Sequence, residues 1–172
     1  MTTAYIYDSI RTPRSKGRTD GSLHPIAPWE LGAGLLSELQ SRHDFDTAYV
    51  DDVIMGCVTQ TADQGGNVAK AMVQTAGWDQ SVPALSLNRY CASGLEAVNT
   101  AAQRVASGWE QLVVAGGVES MSRVPMGSDG GALFSDRHFI ETQSSINQGV
   151  SADLLATLDG VDRAEADAFA LL

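Results

Sequence analysis

The apolar residues of this chain fall into two alternating patterns. Short continuous runs at 53–58, 82–87 and 112–115 read as strands buried on both faces. Residues 4–8 read as one more strand at the start. Between these runs, apolar positions recur at helical spacing. Over 28–40, Leu31, Leu35, Leu36 and Leu39 share one face, and Pro28 suits the first turn. A second helix is predicted over 67–76, stopped by Gly77. A third runs from about 91 to 107 and is stopped by Gly108. Strand–helix alternation of this kind predicts an α/β fold with a parallel-dominated sheet between helices. Ligands of such sheets collect at the carboxyl ends of the strands.

After Pro125 the character changes. Residues 127–131 are loop, and 134–149 show no clear period. A short helix is expected over 151–157. Asp162 followed by Glu165 reads as the capping box of a last helix.

Candidate chemistry centres on Asn88-Arg89-Tyr90-Cys91-Ala92-Ser93-Gly94, the junction of the third apolar run and the third helix. A thiol there faces the unpaired N–H groups of a first helical turn, whose partial positive charge favours thiolate. Thiolate is the nucleophilic form, so this placement predicts covalent chemistry at Cys91. The competing reading is a small buried hydrophobe, the ordinary role of a free cysteine. Gly116-Gly117 also ends a strand and can share one site with Cys91.

Asn-x-x-Cys-x-Ser-Gly followed by Gly116-Gly117-Val118-Glu119-Ser120-Met121-Ser122 resembles the thiolase family, the acyl-CoA C-acyltransferases. Arg11-Thr12-Pro13, Gly56-Cys57-Val58-Thr59-Gln60 and Gln64-Gly65-Gly66-Asn67 match further marks of that family's N-terminal half. The resemblance covers essentially the whole chain. It implies a thiolase-like half-domain at 1–118 and the beginning of an inserted loop, or CoA-binding, domain at 119–172. It also implies truncation, since thiolases are more than twice this length. The fifth strand of the family's first sheet, a histidine activating the nucleophile, a second acid/base cysteine and an asparagine–histidine oxyanion site all belong to the absent half. The edge at 112–115 would then be exposed. The third helix, small on several faces, would pack against a partner from that half. His24, His43 and His138 match none of the family's motifs and read as surface residues.

The implied activity is transfer of an acyl group from acyl-CoA to Cys91, followed by formation of a 3-ketoacyl-CoA, or its cleavage by free CoA. Met121, Asn147, Gln148 and Gly149 are candidate substrate-binding residues. Asn147-Gln148-Gly149 stands where biosynthetic members show His-Met-Gly beside the acyl pocket. The plainer alternative for this segment is a helix-leading loop. Two other functions stand beside the first: a non-catalytic or split half-thiolase serving as a structural partner, and another condensing enzyme of the superfamily.

Charge and composition narrow this only a little. A net charge of −10 argues against nucleic acid and anionic membranes. It also fits poorly with a phosphate-bearing substrate, so any basic pocket must be local. No apolar run approaches the roughly 20 residues of a membrane span. Met1 to Ile6 lack a basic stretch before an apolar one, so no signal peptide is expected. Two cysteines, Cys57 and Cys91, make no disulfide framework, which suits a reducing cytoplasmic setting. Cys57 reads as core filling. No metal and no cofactor are expected, with the coenzyme A thioester as substrate. The expected partners are acyl-CoA and CoA, a homodimer or homotetramer of the full-length protein, or a complementing C-terminal chain.

Overall fold

The computed structural model describes residues 3–143 and 145–172; Met1, Thr2 and Ser144 lie outside the described residues. The chain divides after Asp129 into two compact units.

The first unit is built on three parallel strands, β1 (Asp52–Gly56), β2 (Ala84–Leu87) and β3 (Val113–Gly117), in the order β2-β1-β3. Ile54 of β1 sits opposite Leu85 on one side and Ala115 on the other. Every residue of β1 is buried, as its unbroken apolar run requires.

Two helices form the layer on one face. Val68, Ala69, Met72 and Val73 of α2 (Val68–Thr75) pack with Val53, Met55 and Cys57 around Trp78 and Val82. Leu36 of α1 (Pro28–His43) joins this core. Helix α3 (Ser93–Ser107) covers the other face, laying Ala97 and Ala101 on Ile54. Small residues there let the helix approach the strands closely. Apolar burial on both faces, at about 25 cal/mol per Å², is what holds the sheet.

The element ends are fixed by polar groups. Asn67 caps α2 by accepting from the Lys70 N–H at 3.1 Å, and its amide donates to the Ala84 carbonyl at 2.8 Å. Arg104, near the end of α3, clamps Asp52 at 2.6 Å and Glu110 at 2.9 Å. The Asp51 carboxylate accepts the N–H groups of Gln111 at 2.6 Å and Leu112 at 3.0 Å, which aligns the start of β3 with β1.

Two expectations need correction. Residues 4–8 form no strand, and Tyr5, Ile6 and Tyr7 are exposed. A strand needs a hydrogen-bonded neighbour, and no described strand lies beside this segment. Helix α3 buries its Ser93, Ala97 and Ala101 stripe, while Leu95 is 63% exposed and no described element covers it, the partner expected there lying outside this sequence. The aperiodic stretch contains two short helices, α4 (Ala132–Ser135) and α5 (Arg137–Thr142), the second capped by Asp136.

The second unit comprises α4, α5, α6 (Gln148–Asp159) and α7 (Arg163–Ala170). The expected capping box opens α7: Asp162 accepts the Glu165 N–H at 2.8 Å, and Glu165 accepts the Asp162 N–H at 3.0 Å. None of this unit's described residues is buried. No helix among the described residues is long and apolar enough to cross a membrane.

Candidate active site

Cys91 stands on the turn between β2 and α3, and its thiol is exposed. The turn is hydrogen-bonded internally. Asn88 Oδ1 accepts the Tyr90 N–H at 2.8 Å. Ser93 Oγ accepts the Arg89 N–H at 2.8 Å and donates to the Tyr90 carbonyl at 2.6 Å. Tyr90 is held at φ +49°, the left-handed region that a bulky residue rarely adopts. Such strain persists only where the surroundings enforce it, and here it turns the chain sharply just before the thiol. Arg89 braces the turn through Glu96, one helical turn inside α3, at 3.0 Å.

Three glycines bring the start of α3 onto the sheet. A Cβ on Gly56 would lie 2.4 Å from the Ser93 carbonyl carbon, and one on Gly117 would lie 2.9 Å from the Gly56 carbonyl oxygen and 3.6 Å from Gly94 Cα. The ends of β1 and β3 thus meet the N-terminus of α3, as expected for a site at the carboxyl edge.

A polar network ties the Gly116–Ser120 segment to the Cys91 turn. Glu119 accepts the Val58 N–H at 2.8 Å, the Thr59 N–H at 3.3 Å and the Gln64 side-chain amide at 2.8 Å. Gln64 is fully buried; it also donates to the Thr59 carbonyl at 2.9 Å and accepts the Ser120 N–H at 2.6 Å. The Val58 carbonyl in turn accepts from the Asn88 amide at 3.1 Å. One path of hydrogen bonds therefore runs from Glu119 through Val58 and Asn88 to Tyr90, next to the nucleophile candidate. From the sequence, Glu119 and Ser120 are expected to serve the architecture near the site and dimer interface, and Asn88 and Arg89 to support the dimer contact. Gln64 stood in the sequence as part of a family motif, with no sign of its role as the bridge.

The two thiols differ sharply. Cys57 is buried in the core cluster, and burial, reinforced by the charge of Glu119, pushes its thiol up to about 12. A thiol so placed is inert at neutral pH. Of the two free cysteines, only Cys91 is exposed.

Met121 lines a cleft of about 270 Å³ between residues 12–17, α1 and residues 117–122. Cys91 does not line this cleft. Asn147, Gln148 and Gly149 belong to the second unit, at the start of α6, where Asn147 Oδ1 accepts the Gly149 N–H at 3.0 Å. His43 pairs with Asp8 at 2.9 Å, and His138 is exposed, both at the surface as expected. His24 departs from that expectation: it is half-buried, its Nδ1 has no partner among the described residues, and its carbonyl takes a bond from Arg123. No group of three or more His, Cys, Asp or Glu among the described residues is placed to hold a metal ion.

The family model for the thiolase N-terminal domain matches residues 4–172. The chain belongs to the thiolase family. Among curated relatives it is 41% identical to a steroid 3-ketoacyl-CoA thiolase of Mycobacterium tuberculosis over 128 residues, covering 74% of this chain and 31% of that protein. It is 40% identical to a beta-ketoadipyl-CoA thiolase of Pseudomonas knackmussii, over 97% of this chain and 45% of the relative. A 3-ketoacyl-CoA thiolase of Bacillus subtilis is 37% identical, over 99% of this chain and 44% of the relative. The chain thus spans less than half the length of these relatives. The crystal structure of the Bacillus anthracis acetyl-CoA acetyltransferase superposes with a TM-score of 0.57 at 36% identity, covering 61% of this chain and 26% of that one. The α/β fold with its small parallel sheet is therefore a thiolase fold, and the family is one of acyltransferases.

Proposed function

We propose that this chain carries the nucleophile of a thiolase. The observation that supports this best is the exposed Cys91 thiol on a strained, hydrogen-bonded turn at the N-terminus of α3. In this reading the Cys91 sulfur attacks the thioester carbon of an acyl-CoA. A tetrahedral oxyanion forms, aided by the Cys91 backbone N–H, and collapses with loss of CoA thiolate, which takes up a proton. The acyl group then rests on Cys91 as a thioester. Attack by the deprotonated alpha carbon of a second acyl-CoA gives a 3-ketoacyl-CoA and frees the thiolate; free CoA drives the reverse cleavage. The family resemblance assigns the activating histidine, the second cysteine and the oxyanion asparagine–histidine pair to segments outside this sequence, so full turnover belongs to a protein containing them. The reading needs no metal or cofactor. Met121, and Asn147 to Gly149 of the second unit, are the proposed substrate contacts. A homodimer or homotetramer working in the cytoplasm completes the proposal.

The test is the intact mass before and after incubation with acetyl-CoA, with Cys91→Ser as control. Gain of one acetyl group, absent from the variant, is the expected result. No gain in a folded sample would favour the non-catalytic or split half-thiolase instead.

A further inference from the structure

Tyr90, the strained residue before the thiol, has its peptide groups pinned on both sides. On one side, Asn88 Oδ1 accepts the Tyr90 N–H at 2.8 Å. On the other, the Tyr90 carbonyl accepts the Ser93 hydroxyl at 2.6 Å and the Ser93 N–H at 3.0 Å. Peptide units are planar, so fixing the planes on either side of a residue fixes the torsions between them. These bonds therefore set Tyr90 at φ +49°. A residue with a Cβ disfavours that region by a factor of roughly 5 to 30 when nothing holds it there.

The two clamps are anchored differently. Ser93 belongs to α3 and is buried where Gly56 lets the helix close on β1. Asn88 stands before the turn, and its amide donates at 3.1 Å to the carbonyl of Val58, 30 residues earlier and just past β1. Arg89 bonds instead to Glu96, inside α3. Among the described residues, Asn88 is thus the one side chain of 88–92 that ties the turn to the end of β1. The place calls for an acceptor toward Tyr90 and a donor toward Val58, and a side-chain amide has both. A carboxylate there would meet the Val58 carbonyl with a second acceptor.

The clamp also fixes the peptide between Tyr90 and Cys91. In a trans peptide the C=O and N–H point opposite ways. With the Tyr90 carbonyl drawn to Ser93, the Cys91 N–H faces the other side. That N–H is the group given the oxyanion in the proposed function. A turn of Tyr90 to negative φ would swing it, and the sulfur's attachment, away together.

We infer that Asn88 is a positioning residue for the Cys91 nucleophile: it holds Tyr90 left-handed and so aims the Cys91 N–H and places the sulfur. Its purpose rests on the acyl-transfer reading of Cys91; its hold on Tyr90 does not.

Two readouts on the purified chain test this. The NOE between the N–H and Hα of Tyr90, intense only at positive φ, should be strong in the parent and weak in Asn88→Ala. The rate of Cys91 acetylation by acetyl-CoA, followed by intact mass, closes a double-mutant cycle of Asn88→Ala with Tyr90→Gly. Asn88→Ala should slow acetylation at least about fivefold with Tyr90 present, but less than about twofold in the Tyr90→Gly background, since glycine enters the left-handed region freely. A side chain that merely stabilised the fold would cost the same in both backgrounds. Circular dichroism should not change across the set. A weak NOE in the parent, an unchanged NOE in Asn88→Ala, or equal losses in the two backgrounds would overturn the inference. A parent with the strong NOE that takes up no acetyl group would sink the acyl-transfer reading instead, and the NOE of Asn88→Ala then decides alone whether Asn88 holds the turn.

Discussion

Substituting Gly56 by alanine tests the packing that places Cys91. The new Cβ would lie 2.4 Å from the Ser93 carbonyl carbon, 2.5 Å from its oxygen and 2.6 Å from the Gly94 nitrogen. Ordinary contacts between carbons are about 3.5 Å, so the start of α3 must retreat by roughly 1 Å. All three clashing atoms are backbone, and no side-chain rotation relieves them. Overpacking a tight interior costs 1–3 kcal/mol; a purely backbone clash belongs at the upper end, about 3 kcal/mol. The entropy gained by removing a glycine from a strand returns only ~0.5–1 kcal/mol. Urea unfolding followed through the buried Trp78 should therefore show a loss of about 2 kcal/mol. Gly34→Ala is the matched control. Gly34 lies inside α1 with nothing within 4 Å of its virtual Cβ, so alanine there should stabilise by ~0.5–1 kcal/mol. The same 1 Å retreat should slow Cys91 acetylation by about a hundredfold in whatever assembly turns over, since misplacements of that size carry such a cost. If Gly56→Ala proves as stable as Gly34→Ala, the close approach of α3 to β1 is wrong, and so is the account of the turn built on it.

Four further outcomes are expected. Iodoacetamide at pH 8 should add one group, at Cys91, with Cys57 labelled only after unfolding; two adducts on the folded chain would contradict the burial of Cys57. Because the Cys57 thiol is raised to about 12, the folded state holds its proton where the unfolded state has released it, so stability should fall as pH rises above about 9, and Cys57→Ala should flatten that slope in alkaline urea titrations. Glu119→Ala strips the acceptor from Val58, Thr59 and Gln64; it should cost about 2 kcal/mol in urea unfolding and change the Cys91 alkylation rate, whereas Glu141→Ala, which breaks only an exposed pair with Arg137, should do neither. The N–H groups of Leu112 and then Gln111 hold the Asp51 carboxyl below its ordinary value, so its contribution is present above about pH 4 and lost as pH falls; Asp51→Asn should remove that acid-side slope.

The parallel sheet was legible because its strands are mostly apolar and the helices between them end at Gly77 and Gly108, both left-handed in the structure. Cys91 at the mouth of α3 was legible for the same reason, since the change of period from strand to helix fixes the turn. The segment at 4–8 was misread because β-pattern describes a side-chain face, while a strand also needs a partner that no local pattern contains. The Glu119–Gln64–Asn88 network joins residues far apart in sequence through side-chain geometry, and neither spacing nor composition encodes it.

The order β2-β1-β3 bears on how the unit assembles during synthesis. The central strand leaves the ribosome first, with both edges unpaired. Its first edge is closed when residues 84–87 arrive, and the second waits for 113–117. No hairpin shortens either wait, because each pairing is parallel and spans an intervening helix. Folding of this unit is therefore governed by distant contacts, the regime of slow collapse and long exposure of sticky edges. Until β3 is in place, Ile54 lacks one of its two neighbours and Gly56 lacks Gly117 opposite it. The Cys91 turn thus becomes rigid only at the last step of assembly, and a half-made chain carries an accessible thiol before it carries a site.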